Sequence, residues 1–318
     1  MEGIMLCPIC DSDKTRECYS LYDDRYGFPG KFCYRVCGDC IHAWCIDPPS
    51  GEDAVSLYSS YYPRSDIDPA CHKPHCEVYG FRSWLNGSRK SAYSYVPHGV
   101  RVLDIGCGSC ESIGYHLSRG CIASGVESDM NVSKVAETYG YNVKIGTFSP
   151  DDYGKDSFDY ITLDQVLEHM VDPFQCLADI YRVLRHNGKV IISTPNIAGW
   201  GAGFFKGKWI HWHPPYHIHL FSAGSLAILA RKTGYNLKSI RTQTSSDWLH
   251  FQWCHIVTYP VEAKASEFWS KRSPTTNTAQ VLLRMCCFVH YLKINHIVTR
   301  FFDSIDKGDN IVAILEKR

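Results

Sequence analysis

Three groups of residues in the 318-residue chain have the types and spacing to do chemistry. The first is VLDIGCGSCESI, residues 102–113, where an apolar run ends in Asp104 and passes through Gly106 and Gly108 before a helix-like stretch. Glycines at such a turn let backbone approach a ligand closely, and a helix start presents unpaired N–H groups. Glu127 lies 23 residues beyond Asp104, at the end of the next apolar run. An acid there can accept both hydroxyls of a ribose, through charge-assisted hydrogen bonds of about 1.5–3 kcal/mol each. The alternative is a tight turn with no ligand. A dinucleotide fingerprint needs GxGxxG, whereas Gly106 and Gly108 are followed by Glu111, whose carboxylate would face a pyrophosphate badly. A sulfonium ligand with an amino-acid tail reverses the electrostatics, because Asp104 and its neighbouring acids suit a cation and an ammonium group.

The second group is a pair of knuckles, Cys7-Pro8-Ile9-Cys10 and Cys37-Gly38-Asp39-Cys40, separated by 26 residues. Four thiolates at about 2.3 Å satisfy tetrahedral zinc with no open position, which marks a structural site. A zone of some 50 residues with little apolar periodicity needs such a staple, and zinc contributes on the order of 10–16 kcal/mol to folding in finger peptides. Cys33 competes for a ligand place, and four unrelated free thiols are the alternative. A further cluster, Cys71-His72-Lys73-Pro74-His75-Cys76, would make strained chelates from adjacent ligands and reads as a polar connector.

The third group lies in residues 196–221, a glycine-, tryptophan- and histidine-rich stretch with neither regular period. Trp200, Trp209 and Trp212 could stack on a sugar face or an aromatic ring, or pack beneath a lid. His211, His213, His217 and His219 fall within nine residues. A catalytic metal needs convergent imidazoles and usually a carboxylate, which this stretch does not supply. A general base needs one imidazole of near-neutral pKa within reach of an acceptor hydroxyl, and is the preferred reading. Its candidates are His217, His219 and, in the LEH segment, His169; a structural histidine is the alternative for each.

These residues need elements to position them. The runs RVLDI, IASGV, NVKI, FDYITL and KVIIST are short, β-branched and bounded by glycine or polar turns, and so read as buried strands. The segments between them fit helices, giving βαβ units and a parallel sheet. Asp129 is expected to cap a helix ending at Gly140. Pro173 suits the first turn of another, whose apolar stripe is Phe174, Leu177, Ile180, Tyr181 and Leu184. Arg182, Arg185 and Lys189 are expected near its carboxyl end and Gly188 at its cap. Residues 222–234 read as a capped amphipathic helix before a strand, LKSIRTQT, and NIVAILEK as the last strand.

At this point the sequence resembles the class I S-adenosylmethionine-dependent methyltransferases. VLDIGCG is similar to their first motif, GVE to their ribose-binding acid, and residues 158–196 to the fourth and fifth motifs of the branch with ubiquinone-type and sugar methyltransferases. The resemblance covers about residues 78–243 plus the last strand. It implies an α/β, Rossmann-like seven-stranded sheet whose seventh strand is antiparallel beside the fifth. It implies S-adenosylmethionine as cofactor, with Asp104, Gly106 and Gly108 on its methionine and ribose side, Glu127 on the ribose, and Ser128 or Asp129 adjoining. Thr147 and Phe148 would flank adenine, and Asp164 and Gln165 would close the pocket. PPYHIHLFS resembles the family's PPxHxxxFS segment, which aligns His217 with the recurrent histidine. Cys110 departs from the pattern, standing where a third small residue, often glycine, is usual. The knuckles and the YxxYY-like connector resemble the small zinc-binding domain of a group of sugar-modifying methyltransferases.

The expected organisation is a zinc module at 1–50, a helical connector at 51–98, a cofactor-binding core at 99–248, a helical region at 249–305 for substrate or oligomer contacts, and a final core strand at 306–318. The expected activity is methyl transfer to a hydroxyl of a sugar or other small metabolite, with structural Zn2+ at Cys7, Cys10, Cys37 and Cys40. The alternatives are a zinc-containing RNA base methyltransferase and a catalytically silent cofactor-binding protein that docks a partner. Lysine plus arginine (33) equal aspartate plus glutamate (33), so no net field draws the chain to nucleic acid. The Asn-Pro-Pro-aromatic signature of many base-amino methyltransferases is absent after the fourth strand. Sixteen cysteines that include CxxC pairs, and a start without a basic apolar leader, suggest a reducing, cytoplasmic compartment. The apolar run VLLRMCCFVHYLKINHIVTRF reads as a core or homodimer-forming helix, with a membrane surface as the lesser alternative.

Overall fold

Short β-branched runs become strands here because their alternate side chains are buried on two faces at once. The computed structural model describes residues 5–62, 68–272 and 276–318; readings that touch 1–4, 63–67 and 273–275, including part of the tyrosine-rich connector, lie outside the described residues. The chain opens with an antiparallel meander, β1 (Thr15–Leu21), β2 (Phe32–Cys37) and β3 (Ala43–Cys45). Two short helices follow, α1 (Gly51–Ser56) and α2 (Gly80–Asn86). Then come β4 (Arg101–Ile105), α3 (Glu111–Ser118), β5 (Ile122–Glu127), α4 (Val132–Tyr139), β6 (Val143–Ile145) and β7 (Phe158–Asp164). After α5 (Pro173–Val183) and β8 (Leu184–Pro195), a long segment carries α6 (Trp200–Phe205) and β9 (His219–Leu220). The chain ends with α7 (Ala223–Lys232), β10 (Tyr235–Thr242), α8 (Ser246–Val257), α9 (Asn277–Tyr291), α10 (Ile294–Ser304) and β11 (Asn310–Lys317).

The main sheet has the order β10-β11-β8-β7-β4-β5-β6. Strands β4 to β8 pair in parallel, and β11 runs antiparallel between β8 and β10. This is the Rossmann-like seven-stranded sheet, with its antiparallel last strand beside the fifth strand of the core. Side-chain alternation divides it into two cores: Leu103, Ile105, Val190 and Ile192 face α5 and α7, whereas Val102, Ile191 and Val312 face α3 and α4. The strand order reverses between β5-β4 and β4-β7, the place where such sheets bind ligands at their carboxyl ends.

The local structure around α5 differs from expectation. Helix α5 stops at Val183, not at Gly188, because buried Leu184 already pairs with Phe158 and β8 then bulges through 185–188 before Lys189 meets Tyr160. Gly188 serves that bulge: an added Cβ would lie 2.8 Å from the Arg185 carbonyl oxygen. Arg185 and Lys189 therefore sit on a strand, and Asp172 is the side-chain cap of α5, accepting from Gln175 N–H at 3.0 Å. Asp129 caps the turn before α4, accepting from Asn131 N–H at 3.0 Å, and α4 ends at Gly140 as expected.

The aperiodic stretch 196–221 contributes β9, which pairs with β3 and completes a four-stranded sheet β1-β2-β3-β9. The cysteine module is thus built partly from core sequence, and Cys7, Ile9, Cys37, Cys40 and Trp44 share one apolar cluster with Leu226 and Leu229 of α7. Helix α9 has no buried residue and exposes Val281, Met285, Phe288 and Tyr291, so this part of the run expected as a core or homodimer-forming helix lies on the surface of the chain, whereas α10 buries Asn295, His296, Thr299 and Arg300. It meets α10 at a 64° bend, and no single described helix is long and apolar enough to cross a membrane.

Candidate functional site

The β4–α3 turn is shaped by backbone conformation. Gly106 (φ 73°) and Gly108 (φ 51°) are both left-handed. A Cβ on Gly106 would lie 2.5 Å from Val166 Cγ2, so the turn is pressed onto the loop after β7, while Gly108 faces open space. Cys110 takes the same left-handed conformation (φ 68°) as the residue before α3. Its family departure is therefore a side chain held in a glycine conformation, fully buried against Val102 and Ile113.

Asp104 is buried beneath this turn, accepting hydrogen bonds from Ser112 Oγ and, at 2.6 Å, from Thr162 Oγ1. Burial pushes its carboxyl up to about 7, with the two hydroxyls opposing. An ammonium group placed beside it would restore the charge that burial opposes. Glu127, half-buried at the end of β5, accepts from Gly108 N–H at 2.9 Å, Ser128 N–H at 2.7 Å and Asp129 N–H at 3.0 Å. These bonds, with a fourth from Ser128 Oγ at 3.2 Å, fix the carboxylate at the end of β5. Thr147 is exposed, and Phe148 is half-buried with its ring 6.1 Å from Tyr153. Asp164 ends β7 with its carboxyl raised by burial, while Lys90 and the Ser91 hydroxyl oppose that shift. Gln165 is left-handed (φ 57°) and turned inward, donating from Nε2 to Ser193 Oγ at 3.0 Å and Asn310 Oδ1 at 2.9 Å. It is no solvent-facing helix start.

Next to this crevice, in the turn after β7, stands a group that the sequence reading did not assemble. Glu168, His169 and His217 each bring a ligand atom within 4.8 Å of the other two. His169 Nδ1–H donates to the Tyr216 carbonyl and His217 Nδ1–H to the His211 carbonyl, both at 2.8 Å. Each imidazole therefore directs its Nε2 lone pair away from the backbone. Glu168 is fully buried; Oε2 accepts from Thr194 Oγ1 at 2.9 Å and Oε1 has no partner. Burial pushes this carboxyl up to about 8. The His213 ring is 5.0 Å from His217, and its Nε2 is also unpartnered. Burial lowers the histidines, His169 to about 4 and His217 and His213 further. The cause in each is burial, which disfavours the charged imidazole.

His219 lies apart, with Nδ1 3.0 Å from His42 Nε2 in the β3–β9 pairing. Trp209 and Trp212 are buried, Trp212 against Tyr19 and Tyr34, and Trp200 stacks on Phe302 at 4.4 Å. They pack under the loop. The aromatic wall near the cluster is instead Tyr26, Tyr58, Tyr62 and Tyr216, with ring centroids 5.3–5.7 Å apart in successive pairs. Tyr62 joins the two halves of the site: burial raises its phenol and the Glu127 and Asp129 carboxylates add to the shift, while Arg25 opposes them. Glu168 had a signal in sequence, an acid beside the noted His169 just past a buried strand; Tyr58 and Tyr62 lie in the YxxYY-like connector and Tyr216 in the PPYHIHLFS segment, and only their convergence with Tyr26 had no signal.

The four knuckle cysteines converge, with Cys7 Sγ 3.6 Å from Cys40 Sγ and Cys10 Sγ 3.5 Å from Cys37 Sγ. A tetrahedron with 2.3 Å bonds has edges of about 3.8 Å, so the set fits one zinc ion. Cys33 is exposed and outside the group. Among the described residues, Cys71, His72, His75 and Cys76 form no convergent ligand set; His75 stacks on Tyr93 at 4.4 Å, and the His72 ring packs tilted against Tyr139 at 4.8 Å.

A family model described as a methyltransferase domain matches residues 81–240, half of the chain. The chain belongs to the methyltransferase-domain family. A ubiquinone biosynthesis O-methyltransferase of Thiobacillus denitrificans is 31% identical over 105 residues, covering 31% of this chain and 45% of that one. A demethylmenaquinone methyltransferase of Listeria monocytogenes is 30% identical over 118 residues, covering 33% and 50%. The chain spans about half the length of the curated relatives it matches. Among solved structures, a phosphoethanolamine N-methyltransferase of Haemonchus contortus with S-adenosyl-L-methionine is 20% identical, with TM-score 0.45 over 75% of this chain and 53% of that one. A SAM-dependent methyltransferase of Archaeoglobus fulgidus is 17% identical, with TM-score 0.43 over 71% and 88%. Within this methyltransferase domain, Asp104, Gly106, Gly108 and Glu127 lie together at the carboxyl ends of β4 and β5, with open space beside Gly108.

Proposed function

We propose that the protein transfers a methyl group from S-adenosylmethionine to a ring hydroxyl of a small molecule. One observation carries this reading: the Asp104–Glu127 crevice and the buried Glu168, His169, His213 and His217 cluster meet at one end of the sheet, on either side of Val166. When bound, the cofactor supplies an electrophilic methyl on a sulfonium. Asp104 would receive its ammonium end and Glu127 its ribose hydroxyls, with Ser128 and Asp129 holding the Glu127 carboxylate in place. Thr147 and Phe148 would border the adenine, and Asp164 and Gln165 the far wall. The cluster receives the acceptor hydroxyl and its proton, and the tyrosine wall orients the ring. Most of the acceleration then comes from alignment of the two reactants.

An aromatic, apolar wall suits a phenolic ring better than a polyhydroxylated sugar, and the named activities of the quinone-pathway relatives support the same class. Zinc at Cys7, Cys10, Cys37 and Cys40 is a structural part of this reading, and sixteen cysteines free of disulfides suit a cytoplasmic setting. Calorimetry with S-adenosylmethionine tests the crevice: Asp104→Ala and Glu127→Ala should abolish binding, whereas His217→Ala should keep binding and lower methyl incorporation. Radiolabelled methyl donor with hydroxylated aromatics, sugars and RNA separates the acceptor classes. Tight binding without transfer to any of them would leave the silent, partner-docking alternative.

A further inference from the structure

We propose that Glu168, His169 and His217 form a mononuclear site for a divalent first-row metal ion that presents open coordination positions to the acceptor oxygen. The inference rests on the reading of this cluster as the acceptor site and adds the ion that activates it.

The three side chains have the composition of a two-imidazole, one-carboxylate set, which suits ions of the Mn2+, Fe2+, Co2+ and Zn2+ series and leaves positions free. The histidine-rich stretch 196–221 itself holds no acid. The fold brings the acid from elsewhere: Glu168 sits after β7, and its backbone carbonyl accepts from Ile218 N–H at 2.8 Å, next to His217. Both imidazoles are already oriented as ligands are, each Nδ1–H held at 2.8 Å by a backbone carbonyl so that Nε2 is the free lone pair. The Glu168 carboxylate is held at one oxygen by Thr194 while its other oxygen, buried, has no partner at all. A buried oxygen without a hydrogen bond costs free energy unless something binds it. The present spread of up to 4.8 Å between ligand atoms closes to an edge of about 3.4 Å around bonds of about 2.1 Å with side-chain shifts on the order of 1 Å.

The ion also has a part in the chemistry. Coordination lowers the acceptor hydroxyl's pKa. Its O–H bond then breaks with the proton passing to His213 Nε2, which is unpartnered beside the site. The oxygen's electron pair forms the new C–O bond, and the S–C bond breaks with its pair remaining on sulfur as the thioether. The four-cysteine set is closed and thiolate-rich, so an ion that prefers oxygen and nitrogen reports the second site alone.

The experiment uses the full chain with zinc retained at the cysteines, titrated with Mn2+ and followed by loss of the free-ion paramagnetic resonance signal. One Mn2+ should bind per chain, and Glu168→Gln, which keeps the Thr194 hydrogen bond, and His217→Gln should each weaken it roughly tenfold or more. Circular dichroism and S-adenosylmethionine calorimetry on the same preparations establish that the variants fold. If they do not, Co2+ added to the wild-type chain decides: weak visible bands without thiolate charge transfer support the site. Wild-type protein that takes up neither ion, or folded variants that bind Mn2+ as the wild type does, would overturn it. Mn2+ binding as described in a chain that ignores S-adenosylmethionine would instead sink the functional reading and leave the metal site standing.

Discussion

Gly106 and Gly108 share a left-handed backbone and differ in what surrounds them, which separates stability from binding. At Gly106 an added methyl meets Val166, so Gly106→Ala should lose about 1–3 kcal/mol of unfolding free energy in urea titrations. At Gly108 the same methyl enters the open crevice. Gly108→Ala should cost about 1–2 kcal/mol from its left-handed backbone alone, and weaken S-adenosylmethionine at least several-fold by calorimetry. Unchanged affinity in that variant would show that the ligand does not approach this turn. The Asp104, Gly106, Gly108 and Glu127 constellation was readable because its members lie on two consecutive strands and the turn between them. Glu168, one residue from a histidine already noted, was not read because its burial and its unpartnered oxygen are properties of the packed molecule.

At the scale of elements, α7 fastens the core to the cysteine module. Ser222 caps the helix reciprocally with Ser225, and its Oγ donates to the Cys40 carbonyl at 2.6 Å. Ser222→Ala should therefore cost about 1–2 kcal/mol, the upper part of the range for a lost cap, measured as a shift in denaturant midpoint. The helix itself was legible from its apolar stripe and capping residues. The two-residue strand β9 was not, since two residues carry no period, and α5 was read too long because a strand bulge and a helix end use the same glycine.

For the whole molecule, losing the zinc proposed at the four cysteines should reach the distant chemistry. The β3–β9 pairing and the hydrogen bond from Tyr34 Oη to the His217 carbonyl at 2.9 Å connect the module to the cluster. Cys37→Ser, with metal release followed by mass spectrometry, should abolish methyl transfer while S-adenosylmethionine binding persists. Burial also sets the response to pH. Asp104 and Asp309 are raised to about 7 and Glu168 to about 8, so above the ordinary carboxylate range the unfolded chain holds fewer protons and stability falls as pH rises toward 8. His169 and His219 are lowered to about 4 and His211 to about 3, so the unfolded chain holds more protons below about pH 6.5 and stability falls as pH drops. The metal-free, ligand-free chain should melt highest near pH 6.5, and Asp104→Asn should flatten the alkaline limb of the melting curve.

The sequence by itself determined what depends on neighbours along the chain: the strands and their order of burial, the glycine turn with its two acids, and the spacing of the cysteine knuckles. Periodicity, turn chemistry and chelate spacing are local and survive in one dimension. Tertiary structure alone decided that residues 169 and 217 face one another, that an acid from outside the histidine-rich stretch joins them, and that His219 is drawn off into the module's sheet. Those outcomes depend on which strand edges pair and on how far water is excluded, and both are set only when the two sheets close on each other.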